Sequence, residues 1–493
     1  MTAPRRIRTG VALVLVLAGV AGASACGDTH PGAPARAADI ATGTRTVVDA
    51  VGGSLSAAAA TLFFRSAPAA VVADAGDPAA LTAGAAAASA RRLPMLALRP
   101  ACLPAVERAL ARLGVAAVYT SGRVDLPHLQ VTGVAVEPLA SVDAAPPAAQ
   151  SAIAAPTLVL ATTDTDPGAV ASARAAGAQV LTLPAADPRS STATVAALRA
   201  SGPRAVIALG AEFGTAADVS RRIQTAADAP QVIGGGSVMF PGRRFVSLYG
   251  VPGDPALGVL GQQSLPASIA RVKALAAQYS PLSPVPVIPA FEIIASVASA
   301  APGADDQYST MLPVAQLLPW VEAANRAGLY VTLDLQPGRT DFLTQAKAYQ
   351  QLLRLPDVGL ALDPEWRLKP NQVHLVQIGS VGADEVNRVQ DWLAGVVREY
   401  HLPQKVLVLH QFTQDMLVDR SAIDTSHNEL ALVVHTDGHG TPPVKIGTWN
   451  KIRAGLSPRI WLGWKNFYTE DSPTFTPAQT MALTPAPVFV SYQ

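Results

Sequence analysis

The sequence predicts an α/β protein in which an N-terminal parallel α/β (Rossmann-like) region is followed by a (β/α)8 TIM-type barrel. Short apolar runs alternate with helix-like stretches, which is typical of parallel sheets with crossover helices. In the C-terminal half, seven apolar runs each end in polar or aromatic groups, and an eighth candidate closes the sequence. At 493 residues, the chain is too long for one compact domain. The runs end at residues 247–249, 290–292, 333–336, 362–365, 409–411, 434–437, 464–466 and 491–493.

Composition and charge argue against several function classes. The formal net charge is +1 and charged residues make up 15% of the chain, so neither a nucleic-acid footprint nor electrostatic membrane binding is indicated. Hydrophobic residues at 49% suit a globular protein with an ample core. The glycines at 234–236 lack the following Gly-Lys-Ser/Thr of a phosphate loop, so we interpret them as a linker and expect no cofactor.

The N-terminus has the pattern of a targeting segment. Three arginines in the first eight residues precede an apolar run at 11–20, which is short for a membrane span. Small residues at 23–25 then precede Cys26, and this arrangement resembles a bacterial lipoprotein signal. The resemblance implies a signal peptide over 1–26, a lipid on Cys26 and an extracytoplasmic protein anchored to the cell membrane. Ordinary secretory cleavage nearby is the alternative.

Composition divides the rest of the chain into further segments. Residues 27–60 are rich in Ala, Gly, Thr and Ser, which predicts a flexible tether. All six tryptophans lie in the C-terminal part, whereas the N-terminal part is alanine-rich. We therefore expect an α/β region over 61–235 and a barrel over 240–493. The one cysteine beyond the signal, Cys102, is interpreted as a buried structural residue.

The α/β region resembles a known repeat. Residues 71–84 combine an apolar strand, a small-residue loop with Asp77 and an Ala-Leu-x-Ala helix, as in the opening of the bacterial cell-wall-binding type 2 repeat. The strand at 94–98 and the helix and strand at 111–119 match its later elements, and a second copy runs over about 156–214. The resemblance implies cell-wall binding, and a generic α/β domain is the alternative.

Alternation along two barrel strands predicts which side chains face the interior. In the run 329–336, Asp334 falls on the face opposite the leucines. In the run 358–365, Asp363 and Glu365 likewise fall opposite the apolar positions. The apolar faces should pack on the outer helices, so the carboxylates should point toward the mouth of the barrel.

The groups at the strand ends form a candidate site. Acids and aromatic rings in a cleft favour glycan recognition and glycoside hydrolysis, which needs one protonated carboxyl group and a second carboxylate. Glu365 is the candidate acid, Asp363 its supporting group and Asp334 a further catalytic candidate. The candidate substrate-binding residues are Tyr249, Glu292, Trp366, His410, His435, Asp437, Lys465, Tyr468 and Tyr492.

Residues 362–366, Leu-Asp-Pro-Glu-Trp, resemble the strand-four Asp-x-Glu motif of barrel chitinases and related glycosidases. The resemblance implies that the Glu is the acid and the Asp its partner. Many barrel glycosidases keep a Glu at the end of strand seven, where this chain has Lys465, with Glu470 and Asp471 close behind. Residues 240–493 as a whole resemble an uncharacterised barrel of envelope lipoproteins from high-GC Gram-positive bacteria.

The sequence therefore favours a lipid-anchored envelope protein whose barrel binds a cell-wall or other extracellular glycan and is a candidate to hydrolyse it. One alternative is a non-catalytic carbohydrate-binding or scaffolding lipoprotein, which the lysine at strand seven favours. The other is a metal-dependent hydrolase, because His and Asp residues such as His410, His435 and Asp437 are suitable ligands. The zinc-protease spacing His-Glu-x-x-His is absent from the sequence, and no metal is expected.

Overall fold

The structure is a computed structural model, and it describes residues 35–124, 133–144, 153, 156–201 and 205–493. The predicted signal peptide with Cys26 and the first residues of the predicted tether lie outside these ranges. Within the described ranges, no helix has the length and apolar character needed to cross a bilayer.

In the N-terminal region, strands and helices alternate along the chain. Eight of the described strands form two four-stranded parallel sheets, and the other two form an antiparallel pair. The elements are β1 (Arg36–Ala37), β2 (Arg45–Val48), α1 (Leu55–Phe63), β3 (Phe64–Ser66), β4 (Ala69–Asp74), α2 (Pro78–Arg91), β5 (Met95–Leu98), α3 (Leu103–Leu113), β6 (Ala117–Ser121), β7 (Ala135–Pro138), β8 (Thr157–Thr162), α4 (Pro167–Ala175), β9 (Gln179–Leu183), α5 (Thr192–Ser201), β10 (Ala205–Leu209) and α6 (Ala216–Asp228). The strand orders are β5-β4-β6-β7 and β2-β10-β8-β9, which confirms the predicted parallel α/β region.

Local sequence signals explain where these helices begin and end. The side chain of Asp77 accepts hydrogen bonds from the first backbone N–H groups of α2, and Pro78 occupies the first turn. Helix α3 ends at Gly114, whose φ of +68° is a left-handed conformation that glycine adopts readily. Gly114 is therefore the C-cap of α3.

Both sheets share one apolar core. Val72 and Leu96 from the first sheet belong to the same buried cluster as Val159 and Ile207 from the second. Strand β2 pairs in parallel with β10, and helix α1 has a buried face, so ordered secondary structure begins before residue 61. Cys102 is buried, and its thiol hydrogen-bonds to backbone groups, as expected for a structural cysteine.

The C-terminal region is a closed barrel of eight parallel strands surrounded by helices, as the sequence predicts. Its elements are β11 (Arg244–Gly250), α7 (Leu265–Tyr279), β12 (Val287–Ala298), β13 (Ser309–Met311), α8 (Val314–Arg326), β14 (Tyr330–Leu335), α9 (Phe342–Ala348), α10 (Gln350–Leu353), β15 (Val358–Leu362), β16 (Val381–Gly382), α11 (Ala383–Glu399), β17 (Lys405–Gln411), β18 (Leu417–Val418), β19 (Leu430–Thr436), α12 (Pro442–Arg453), β20 (Trp461–Asn466), α13 (Pro477–Met481) and β21 (Phe489–Tyr492). The order β11-β12-β14-β15-β17-β19-β20-β21 returns to β11, and β13 adds an antiparallel edge to β12.

Alternate residues of the barrel strands enter two different cores. Val331 and Leu333 of β14 pack in the outer core with residues of the helices. Tyr330 of the same strand belongs to an inner cluster with Val406 and Phe489, near the starts of the strands. The predicted alternation is confirmed. The inner apolar layer fills the barrel near the starts of the strands, and the polar groups lie at their carboxyl ends.

A short segment joins the two regions and is packed against both. The guanidinium of Arg243, 2% exposed, donates to the carbonyl oxygens of Gly235 and Met239. Arg189 and Arg222 of the α/β region donate to the backbone and side chain of Asn428 in the barrel, at 2.6 and 2.7 Å. The glycine segment interpreted as a linker is thus held by hydrogen bonds.

Candidate active site

A cavity of about 480 Å³ opens at the carboxyl ends of the barrel strands. This is the end at which TIM-type barrels carry their sites, because the loops after the strands converge there. The cavity is lined by Tyr249, Ala256, Leu257, Ile294, Val297, Ala298, Gln336, Glu365, Trp366, Phe412, Asp437, Gly438, His439, Thr448, Lys465, Phe467, Glu470 and Gln493. Five of the predicted site residues are on its wall, namely Tyr249, Glu365, Trp366, Asp437 and Lys465.

Glu365 is presented to the cavity by a helical turn that follows β15. Pro364 occupies the first position of this turn, where its fixed φ suits the conformation. The carbonyl of Glu365 accepts a hydrogen bond from the N–H of Gly379 at 2.8 Å. A Cβ at Gly379 would lie 2.5 Å from that oxygen, so only glycine permits this approach. The backbone that carries the carboxyl group is therefore fixed on both sides.

The carboxyl group of Glu365 has an unusual pKa. Partial burial and the negative charge of Asp437 raise it to about 7, while Lys465 and His410 act in the opposite direction. Asp363 lies behind it at 1% exposure, and burial together with the charge of Glu365 raises the pKa of Asp363 well above its ordinary value. Both carboxyl groups thus retain a proton under conditions where an exposed acid is ionised.

His410 links two carboxylates beneath the cavity. Its Nδ1 lies 3.0 Å from Oδ2 of Asp437, and its Nε2 lies 3.1 Å from Oε1 of Glu292. Burial disfavours the imidazolium, but the charge of Glu292 and the hydrogen bonds that the ring donates to both acids outweigh it and raise the pKa of His410 well above its ordinary value. The ring is therefore charged and donates from both nitrogens.

A third acid completes this buried network. Asp334 accepts a hydrogen bond from the hydroxyl of Tyr249 at 2.8 Å, and Gln336 donates to the same hydroxyl at 3.3 Å. Burial raises the pKa of Asp334 to about 6; the nearby His410 lowers it, and Glu292 raises it further. Asp334, Glu292 and His410 are 0% exposed, so they support the cavity floor rather than line it.

His435 is also buried below the cavity but has a different environment. Its Nε2 lies 2.7 Å from the hydroxyl of Ser491, and its ring packs edge-on to that of His410. Burial and the positive charges of His410 and Lys465 lower the pKa of His435 well below its ordinary value. Space for the ring depends on Gly463, where a Cβ would lie 2.2 Å from Nδ1.

Two predicted site residues lie away from the cavity. The strand register pairs Ser491 with Lys465 and Tyr492 with Asn466, so Tyr492 points outward, where its hydroxyl lies 2.6 Å from that of Tyr279. Tyr468 is 42% exposed and packs on Tyr492 under the guanidinium of Arg271. Both tyrosines were predicted at the site because they lie near strand ends. The sequence pattern there does not show which residue of each strand end faces inward.

The loop after β20 contributes groups that the strand pattern did not single out. Phe467 and Glu470 line the cavity, as does Phe412 after β17. Asp471 instead forms a buried ion pair with Lys445 at 2.5 Å and accepts the N–H of Phe467. Of the two acids that closely follow Lys465 in the sequence, Glu470 lines the cavity and Asp471 holds the loop in place.

Within the described ranges, no group of three or more His, Cys, Asp or Glu side chains is arranged to hold a metal ion. The two ring nitrogens of His410 are already directed at Asp437 and Glu292. Of the ligands suggested by the sequence, His410 and Asp437 are thus hydrogen-bonded to each other, and His435 is hydrogen-bonded to Ser491.

Comparison with protein-family models, with curated proteins and with solved structures found no match for this chain.

Proposed function

We propose that the barrel binds a glycan in the 480 Å³ cavity and hydrolyses it, with Glu365 as the general acid. The observation that carries this proposal is a pair of carboxyl groups of different character on one cavity wall. Glu365 has a pKa raised to about 7, by burial and by Asp437, and so keeps a proton near neutrality. Asp437 faces the same cavity and receives a hydrogen bond from the charged ring of His410.

The motif resemblance implies Asp363 as the second carboxylate, but Asp437 suits that role better. Asp363 is 1% exposed, lies outside the cavity wall and has a raised pKa that favours its neutral form. Glu365 would give its proton to the glycosidic oxygen as the C1–O bond breaks. Asp437 would then either bond C1 or take a proton from the attacking water. Asp363 supports Glu365 from behind without contacting the substrate.

Aromatic side chains around the two acids suit a sugar. Trp366 directly follows Glu365, and Phe412 and Phe467 also line the cavity. Flat apolar faces pack against the C–H groups of pyranose rings, and the nearby polar groups satisfy hydroxyls. The buried Nε1 of Trp366 has no hydrogen-bond partner among the described residues.

We further propose that the protein acts at the cell envelope. The segment before Cys26 resembles a lipoprotein signal, and residues 71–84 resemble the opening of a cell-wall-binding repeat. A lipid anchor at the membrane and a wall-binding region would both place the barrel among envelope glycans. The partners under this proposal are the membrane, through the lipid on Cys26, and a wall glycan.

A non-catalytic glycan-binding protein is the second candidate, and one observation favours it. Lys465 occupies the end of the seventh barrel strand, where many barrel glycosidases carry a Glu. The same cavity would then hold the glycan without cleaving it.

Purified full-length protein assayed on peptidoglycan, arabinogalactan and chitooligosaccharides would separate the two candidates. Hydrolysis lost in Glu365→Gln and in Asp437→Asn, but retained in the surface control Glu322→Gln, supports the enzyme. Saturable binding without turnover, abolished by Trp366→Ala, supports the binding protein. Turnover that survives Glu365→Gln contradicts the assignment of the acid, and turnover that stops in chelator points to a metal-dependent hydrolase.

A further inference from the structure

Lys465 is a nearly buried cation that points into the cavity. It lies at the end of β20, is 4% exposed and forms part of the cavity wall. Its Nζ lies 3.5 Å from the centre of the Tyr249 ring and 5.2 Å from that of Phe467. Aromatic faces attract and orient an ammonium group, so the lysine is held in one direction.

The ammonium of Lys465 has no ion-pair or hydrogen-bond partner among the residues that the structure describes. Its neighbour Lys445 shows the ordinary arrangement, since its Nζ lies 2.5 Å from Asp471 and 2.7 Å from the carbonyl of Lys465. A cation drawn out of bulk water without a hydrogen-bonded counter-ion is costly, because its lost hydration is only partly replaced. The cationic end of Lys465 therefore lacks the partner that Lys445 has.

The acids around Lys465 do not supply that partner. The charge of Lys465 lowers the pKa of both Glu365 and Asp334, but within the described part of the chain neither carboxyl group forms an ion pair or hydrogen bond with the ammonium, and Asp334 is hydrogen-bonded to Tyr249. Asp437 is engaged by His410. Among the cavity-lining residues, Lys465 is the single lysine or arginine, so an anionic ligand group has one cationic position to occupy.

We propose that Lys465 binds the carboxylate of an acidic glycan, so that the barrel selects sugars bearing one carboxylate near the bond held at Glu365. This inference rests on the proposed glycan binding and narrows the ligand to a substrate class. The carboxylate has two chemical sources in such sugars, the lactyl ether of a muramic acid or the C6 carboxylate of a uronic acid. The acidic groups Asp437 and Glu470 on the same wall would disfavour densely sulfated glycans through charge repulsion.

A matched pair of ligands tests the inference. A tetrasaccharide of alternating N-acetylglucosamine and N-acetylmuramic acid shares its backbone with chitotetraose but adds lactyl carboxylates. Calorimetric titration of the full chain carrying Glu365→Gln measures binding without turnover. We expect the acidic ligand to bind about tenfold tighter or more, the effect of a hydrogen bond to a charged group. A glucuronate oligosaccharide and its carboxyl-reduced form provide the same comparison for a uronic acid.

Variants of the lysine connect that difference to one side chain. Lys465→Met should remove the preference for the acidic ligand, Lys465→Arg should retain part of it, and the exposed-helix control Lys273→Met should leave it unchanged. Thermal unfolding of each variant shows whether it is folded. If Lys465→Met does not fold, the inference is decided by the preference for the acidic ligand in the Glu365→Gln parent and in Lys465→Arg. An interaction between charges predicts that this preference weakens as salt is added.

The outcomes separate the inference from the function on which it rests. Equal affinity for acidic and neutral ligands, or an equal loss for both in Lys465→Met, overturns the inference and leaves glycan binding standing. Failure to bind any of the four ligands contradicts both. A preference in only the lactyl pair or only the uronate pair supports the inference and identifies the source of the carboxylate.

Discussion

The ring of His410 lies 3.0 Å from the carboxylate of Asp437 and connects the cavity wall to the buried interior of the barrel. The other nitrogen of the ring lies 3.1 Å from the carboxylate of Glu292. His410 is in β17 and Glu292 is in β12, and β14 and β15 lie between these two strands in the barrel. A charged imidazole between two carboxylates fixes the orientation of both, because each oxygen accepts one directed hydrogen bond. The second carboxylate of the proposed reaction is therefore positioned by the core and not by its own loop alone.

We expect Glu365→Gln to lower kcat/KM on the preferred glycan by about 100-fold or more, the usual effect of removing a general acid. In the parent protein, activity should fall as the pH rises above about 7, since Glu365 must be protonated and its pKa is raised to about 7. Measured pH profiles should show this alkaline limb only in the parent. A limb that persists unchanged in the variant would assign it to another group.

Asp334→Asn should change how stability depends on pH. Burial raises the pKa of Asp334 from 3.8 to about 6, so the folded protein holds this proton more tightly than the unfolded chain does. The free energy of unfolding should consequently fall as the pH rises between about 4 and 6, by on the order of 3 kcal/mol from this group. Urea unfolding at several pH values should show a smaller fall in the variant. An equal or larger fall would contradict the assignment.

Trp366→Ala should weaken glycan binding by about tenfold, because a cavity-wall aromatic ring contributes on the order of 1 to 2 kcal/mol to such contacts. Trp366→Phe, which keeps a ring, should lose less affinity. Tyr468→Ala is the comparison variant, since Tyr468 is 42% exposed and lies outside the cavity wall. Titration with one ligand across the three variants checks the order, and a larger loss in Tyr468→Ala would place the site elsewhere.

Gly463→Ala should destabilise the barrel by about 1 to 3 kcal/mol through overpacking. Its Cβ would lie 2.2 Å from Nδ1 of His435 and 3.0 Å from the carbonyl of Phe489, and neither group can move far in the closed interior. Gly395→Ala is a matched control in helix α11, where nothing lies within 4 Å of the added methyl group. We expect that control to stabilise by about 0.5 to 1 kcal/mol, since alanine favours helix. Thermal or urea unfolding of both variants measures the contrast.

Much of the architecture follows from two local patterns in the sequence, the alternation of side chains along strands and the recurrence of apolar runs. Alternation along β14 predicts that Asp334 faces inward, because successive side chains of a strand point to opposite faces. The recurrence of apolar runs predicts the barrel itself, which the closed order from β11 to β21 confirms. The polar ends of these runs mark the end of the barrel at which the cavity opens, since parallel strands bring their carboxyl ends together.

The proposed roles of the acidic residues depend on distances between side chains from different strands, and the spacing of residues along the sequence does not give these distances. The sequence grouped Asp363 with Glu365, but only the fold buries Asp363 and sets Asp437 beside Glu365, from a strand two positions further round the barrel. It placed Tyr492 at the site, but the register with β20 turns Ser491 inward instead. By itself the sequence determined the barrel and its polar mouth, because these follow from periodicity along single strands. The assignment of Glu365 as the acid stays a prediction. Tertiary structure alone decided the partners, the protonation states and the unpaired Lys465, because burial and charge proximity arise from residues far apart in the chain.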